Sequence, residues 1–122
     1  MYMDRLRYKA LLGRVMTPEE AAALIQDNMT VGMSGFTRAG DAKAVPLAVA
    51  RRAREHQIRI SLMTGASLGH GIDGALAEAG VTVRRLPFQS DRHLREAINS
   101  GRVMFIDQHL EEFMDERRGE DA

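Results

Sequence analysis

Thr64-Gly65-Ala66-Ser67-Leu68-Gly69-His70-Gly71 stands between an apolar run, Ile58 to Met63, and a helical pattern, Ile72 to Ala79. This is a strand, a glycine-rich turn and a helix. Glycines let backbone N–H groups approach a ligand, and a helix start behind them favours negative charge. A second loop of the same kind comes earlier, Gly32-Met33-Ser34-Gly35-Phe36-Thr37, again after a β-branched start. A parallel sheet would bring both loops to one edge, where ligands bind in open α/β folds.

Outward from this stretch the same unit recurs. Thr17-Pro18-Glu19-Glu20 combines a Thr N-cap, Pro at the first helical position and Glu at the third. Ala21, Leu24 and Ile25 then supply a buried stripe, and Asn28 ends the helix. Thr30 to Ser34 reads as the first strand. Val45-Pro46 opens a helix to about His56, with Leu47, Val49 and Ala50 inward and Arg51, Arg52 and Arg54 outward. Ile58 to Met63 is the second strand. The next helix closes at Gly80. Val81 to Leu86 alternates weakly and is expected near an edge. Ser90 or Asp91 caps a helix carrying Leu94, Ala97 and Ile98, which stops at Asn99-Ser100-Gly101. Val103 to Ile106 is the fourth strand. Before all of these, Asp4 to Leu12 is expected to form a short helix ended by Gly13.

Strands alternating with helices of this length give an α/β fold: an open, mostly parallel sheet of about four strands with covering helices. Residues 1–110 are expected to form this domain, and 111–122 a charged, poorly packed tail. The 122 residues suffice for one core, and 17 basic against 17 acidic side chains leave zero net charge. Neither nucleic acid nor membrane is expected as a partner, because no basic stripe with aromatics and no spanning-length apolar run exists. With no cysteine, disulfides, thiolate metal sites and a Cys nucleophile are excluded. No apolar h-region follows Met1-Tyr2-Met3-Asp4-Arg5, so a cytoplasmic location is expected.

Gly69-His70-Gly71-Ile72-Asp73-Gly74 matches the dinucleotide pattern G-x-G-x-x-G, but out of context. The strand ends several residues earlier, and the third glycine falls inside the helix. The next strand ends in Leu86-Pro87, without an acid for a ribose. Neither glycine loop carries the Lys-Ser/Thr of a nucleotide P-loop. Lys43 reads either as an anion contact or as a solvated lysine at a helix start. Ser67 and Ser90 read either as donors to a carboxylate or thioester oxygen, or as turn and cap residues. Asp107 and His109 stand two apart at a strand end and could form an acid–base pair; with no third ligand beside them, no metal site is expected. The arginines after Val83 read as a solvated face.

Several segments together resemble one family: VGMSGFTRAG followed by KAVP, SLMTGASLG with DGALAEAG, RRLPFQSDRHLREAINSG, and FIDQHL. They are similar to the N-terminal part of the acetyl-CoA hydrolase/transferase family, from about Leu12 to Leu110. The resemblance implies class I CoA-transferase chemistry, through a glutamyl-CoA thioester. It places the nucleophilic glutamate in the second half of a much longer chain. It implies no permanently bound cofactor, with a coenzyme A thioester as substrate. It implies a small carboxylic acid or acyl-CoA as ligand. The missing C-terminal half or a homo-oligomer stands as partner.

By the same resemblance, Gly35, Phe36 and Thr37 match the first site loop, and Gly65, Ala66 and Ser67 the second. Gln89 and Ser90 match the third, and Asp107 and His109 the fourth. No catalytic residue is assigned within the chain, so it is expected to be an inactive fragment alone. The alternatives are a non-catalytic anion- or nucleotide-binding module and a subunit completed by a separate chain. The sequence departs from the family at Gly40-Asp41-Ala42-Lys43, where an aromatic and a proline usually precede the lysine, and after Leu110.

Overall fold

The computed structural model describes residues 2–68 and 70–107. The tail read at 111–122 lies outside them. Four strands form one sheet: β1 (Thr30–Gly32), β2 (Ile60–Met63), β3 (Thr82–Leu86) and β4 (Met104–Phe105). Every pairing is parallel, and the order across the sheet is the order along the chain. Helices α1 (Pro18–Ala23), α2 (Ala44–Arg52), α3 (His70–Glu78) and α4 (Arg92–Asn99) lead into or connect them. Neighbouring helices pack on one another in sequence, α1 on α2, α2 on α3 and α3 on α4. Strands in chain order with crossovers of one hand put the connecting helices on one side, so they form a single layer. The segment expected as a helix at 4–12 is instead two 3-10 turns, Tyr2–Arg5 and Lys9–Arg14, and the second buries nothing.

The local signals explain the elements. Thr17 caps α1: its Oγ1 accepts from the Glu20 N–H at 3.1 Å and donates to Glu20 Oε1 at 3.2 Å. Asp91, not Ser90, caps α4, accepting from the Leu94 N–H at 2.9 Å. Gly80 and Gly101 turn the chain out of α3 and α4 at φ 71° and 81°, values that favour glycine. The main core joins Ala22, Ala48 and Val49 of α1 and α2 to Ile60 and Leu62 of β2 and to Ile72 and Leu76 of α3. A second cluster, Ala77, Leu94, Ala97 and Val103, seats α4.

Three readings are corrected. Leu24 is 65% exposed, and Ala22 is buried in its place. Leu47 is also exposed, while Pro46, Ala48 and Val49 are buried. At Leu24 this follows from the packing of α1 on α2: Arg52 donates to the Ala22 and Ile25 carbonyls, and the small Ala22 joins Ala48 and Val49 in the core. Leu47 instead lies on the α3 side of α2, in an open groove beside Ala75, Glu78 and Ala79. Finally, β3 is internal, between β2 and β4. Its alternation is weak because an arginine, Arg85, points into the core and is fully buried.

Asp27 organises the start of the sheet, accepting from Arg59 N at 2.8 Å, from the Arg59 guanidinium and from Gln57. Asn28 beside it adopts φ 68° and donates its N–H to the Arg59 carbonyl at 2.7 Å, turning the chain into β1. The Arg59 hydrogen bond is the main cause that lowers the Asp27 carboxyl from 3.8 to about 2. Its folded pKa is therefore below its unfolded one. The stability this linkage contributes is present above 3.8 and lost as pH falls toward about 2. Asp27→Asn should flatten that part of the acid limb, read by far-UV circular dichroism against pH. In the helical layer, Leu24→Ala should stay within about 0.5 kcal/mol of the wild type in urea melts. Ala22→Leu should cost about 1–3 kcal/mol through overpacking.

Candidate functional site

Parallel strands deliver the four loops that follow them to one edge, and backbone hydrogen bonds then tie these loops in series. The Gly65 N–H donates to the Gly35 carbonyl at 2.9 Å, and the Thr37 N–H to the Ala66 carbonyl at 2.9 Å. The Ser67 N–H donates to the Phe88 carbonyl at 3.1 Å. The Phe88 N–H donates to Asp107 Oδ1 at 3.3 Å. Gly35, Phe36, Thr37, Gly65, Ala66, Ser67, Gln89 and Asp107 thus belong to one loop cluster, and Ser90 is exposed beside it. His109 lies outside the described residues.

The first loop is a tight hairpin. Phe36 and Ala39 pair, with hydrogen bonds of 3.0 and 2.8 Å. Thr37 and Arg38 between them both have positive φ, 48° and 69°. This is the primed turn geometry that Asn-Gly normally supplies. A β-branched threonine there is strained, at about 1–3 kcal/mol, and its hydrogen bond to Ala66 helps hold it. Ser67 also has positive φ, 57°. The two glycines are required by crowding. A Cβ on Gly65 would lie 2.3 Å from the Gly35 carbonyl oxygen, and one on Gly35 2.5 Å from Leu68 Cδ2. Phe36 at the hairpin and Phe88 above the second loop are both exposed.

Beneath the loops lies a buried polar network. Arg85 Nε donates to Asp73 Oδ1 at 2.7 Å and Nη2 to Asp73 Oδ2 at 3.3 Å. Nη2 also donates to Thr64 Oγ1 at 2.6 Å. Nη1 donates to the Leu62 carbonyl at 3.4 Å and to the Leu86 carbonyl. All five guanidinium N–H groups have an acceptor available. Burial pushes the Asp73 carboxyl up, against the two hydrogen bonds from Arg85 that pull it down. Thr64 Oγ1 passes the network on, donating to the Gly65 carbonyl at 2.7 Å and accepting from Gln89 Nε2 at 3.4 Å. Gln89 is 6% exposed. Its Nε2 donates to the Gly65 carbonyl at 2.8 Å, and its Oε1 accepts from the Leu68 N–H at 2.8 Å.

The site residues therefore divide. The N–H groups of Gly65, Ser67 and Leu68, expected to face an anion, are engaged inside the cluster. Gln89 holds the second loop from within. The hydroxyls of Ser67 and Ser90 and the ring of Phe36 are left at the loop surface. Arg85, Asp73 and Thr64 were not read as site residues. Asp73 carried a signal: it shares its helical stripe with Ile72, Leu76 and Ala77, and an acid there needs a buried partner. The third glycine of the pattern, Gly74, serves helix packing, since a Cβ there would lie 3.2 Å from Asp91 Oδ1. Among the described residues no three His, Asp or Glu side chains form a metal-binding group. No described helix is long and apolar enough to cross a membrane.

A sequence profile described as the acetyl-CoA hydrolase/transferase N-terminal domain matches residues 1–116. This is wider at both ends than the Leu12–Leu110 span, and it takes in residues beyond Leu110 that were read as a departure. The chain is 40% identical over 108 residues to the succinyl-CoA:acetate CoA-transferase of Clostridium kluyveri, covering 87% of this chain and 20% of the relative. It is 47% identical over 102 residues to the propanoyl-CoA:succinate CoA transferase of Escherichia coli, covering 80% and 21%. It is 37% identical over 114 residues to the acetyl-CoA hydrolase of Candida glabrata, covering 90% and 22%. The chain thus spans about one fifth of the length of these relatives.

Gln89→Ala should leave the buried Leu68 N–H without its acceptor, costing about 1–3 kcal/mol. Amide exchange should accelerate at Leu68 and Ser67 while Ile60 stays protected. Uniform acceleration across the sheet would show that Gln89 supports the whole fold instead.

Proposed function

Since the chain belongs to the acetyl-CoA hydrolase/transferase family, we propose that its loop cluster is the carboxylate-facing part of a site that transfers or hydrolyses a coenzyme A thioester. The observation that carries this is the tying of four strand-end loops into one rigid edge, with strained backbone at Thr37, Arg38 and Ser67. Strain of this kind persists where surrounding structure over-determines it, and it gathers at ligand sites. The relatives' names supply the substrate class: an acyl-CoA and a small carboxylic acid. Ser67 and Ser90 would donate hydroxyls to the acid, Phe36 would flank its chain, and Thr37 would hold the hairpin. Asp107 would position the third loop through Phe88, with His109 following it.

The nucleophilic glutamate implied by the family is assigned to polypeptide beyond this chain. In support, no described carboxyl-edge loop contains a glutamate: Glu19, Glu20, Glu78 and Glu96 lie in helices and Glu55 in the turn after α2. The chain then acts as a subunit or segment completed by further polypeptide, in a cytoplasmic setting.

Two measurements test this. Purified alone, the chain should not exchange CoA between acetyl-CoA and succinate, and turnover surviving stringent purification would overturn the assignment of the nucleophile. Titration with succinate, followed by NMR, should shift Gly35, Ala66, Ser67 and Ser90. Affinity should be about millimolar, near 4 kcal/mol, because an open site gives each hydrogen bond only about 1 kcal/mol net. Ser67→Ala should reduce the shifts. Shifts confined to the face around Arg51 and Arg54, unchanged by Ser67→Ala, would mean nonspecific anion binding.

A further inference from the structure

The sheet has two faces, and among the described residues only one is covered by helices. Ile60, Leu62 and Arg85 face the helical layer and are buried. The register sets Thr30, Ser61, Arg84 and Met104 side by side on the other face. Thr30, Arg84 and Met104 are exposed, Met104 by 57%. Val83, at the register irregularity beside them, and Met29, at the entry to β1, are exposed as well. Arg84 has no ion pair among the described residues. Parallel sheets are normally covered on both faces, because apolar strands and their backbone need exclusion from water. This face sets three exposed apolar side chains, Met29, Val83 and Met104, about a row that also carries Thr30, Ser61 and the Arg84 cation.

We infer that the open face of the sheet, centred on Arg84 and Met104, is the surface on which the completing polypeptide docks, bringing apolar side chains against Met29, Val83 and Met104 and a carboxylate opposite Arg84. This rests on the reading that further polypeptide completes the site. Two observations select that occupant. The chain spans about one fifth of its relatives, so most of their length has to be accommodated around such a unit. A second copy is disfavoured by charge, since a two-fold axis near the middle of this face would bring Arg84 against its own counterpart. The face also ends at the loop cluster: Met33, just after β1, donates its N–H to the Met63 carbonyl. A layer covering the sheet would therefore arrive beside Gly35 and Gly65.

The test co-expresses this chain with the Escherichia coli transferase lacking its matched N-terminal fifth, and purifies the complex. Arg84→Glu, at an exposed position, should leave the circular dichroism spectrum unchanged. It should weaken co-purification at least about tenfold, since like charges meeting at an interface cost several kcal/mol. The helix-face control Leu47→Glu should have no such effect. Because the chain has no cysteine, the thiol of a Met104→Cys variant is a unique probe, and maleimide should label it in the free chain and not in the complex. A complex that forms but transfers no CoA would sink the functional reading and leave the docking face standing. A complex broken by Leu47→Glu and indifferent to Arg84→Glu would overturn the docking face alone. Failure to form any complex, or a dimer of this chain that itself protects the Met104→Cys thiol, would also overturn it.

Discussion

The buried pair of Arg85 and Asp73 sets the terms for everything above it. An arginine inside a small core is costly to desolvate, and the cost is offset only if every donor is met. Here the acceptors come from β2, β3, the loop after β2, and α3 at once. The guanidinium is therefore a joint between strand pairing and helix placement. Lysine could not replace it, since a point charge on a flexible stem cannot span these directions. Removing either partner alone would strand a charge, at about 3–5 kcal/mol. The pair adds little as an ion pair in itself; what it fixes is where α3 sits against the sheet, and so where the second loop begins.

From that joint the order passes upward through Thr64 and Gln89. Each makes contacts to the second loop that a water could otherwise make. Hydrogen bonds in a buried network polarise one another, so the loop is held more firmly than its glycines would allow alone. The consequence for chemistry is a division of labour. The N–H groups of Gly65, Ser67 and Leu68 are committed to neighbours, so in the proposed site recognition would fall to side chains on this hydrogen-bonded frame. Under the proposed function, such a frame would limit how far a bound acid could drift, the condition for reaction with a nucleophile supplied by further polypeptide.

Much of this was legible in the sequence. The cap at Thr17, the helix start narrowed to Ser90 or Asp91, the glycine exits at Gly80 and Gly101 and the strand–helix alternation specified the parallel sheet, and the family segments led to the same loops. What failed was the assignment of size to burial. Leu24 and Leu47 are apolar, yet Ala22 takes the core position in α1 and Leu47 is left in an open groove beside α3, because how closely neighbouring helices approach is a tertiary property that periodicity cannot contain. The edge reading of β3 failed for a related reason. Arg85 looked like one of several surface arginines, and its partner stands twelve residues away on another element. Only the acid in the apolar stripe of α3 hinted that a charge was needed inside.

The same arginine row shows how one strand serves two layers. Successive residues of β3 point to opposite faces, so Arg84 and Arg85 carry identical side chains into opposite environments. Arg85 meets a complete set of acceptors supplied by this chain. Arg84 meets water, amid methionine and valine. A water-facing cation beside exposed methionine and valine is stable as it stands, because its head stays hydrated while its stem covers apolar surface. It also excludes any partner that brings no carboxylate, since burying it unpaired is penalised. The open face is thus protected from indiscriminate pairing by the same residue that would admit a matched one. Specificity built this way depends on the cost of the wrong partner more than on attraction to the right one.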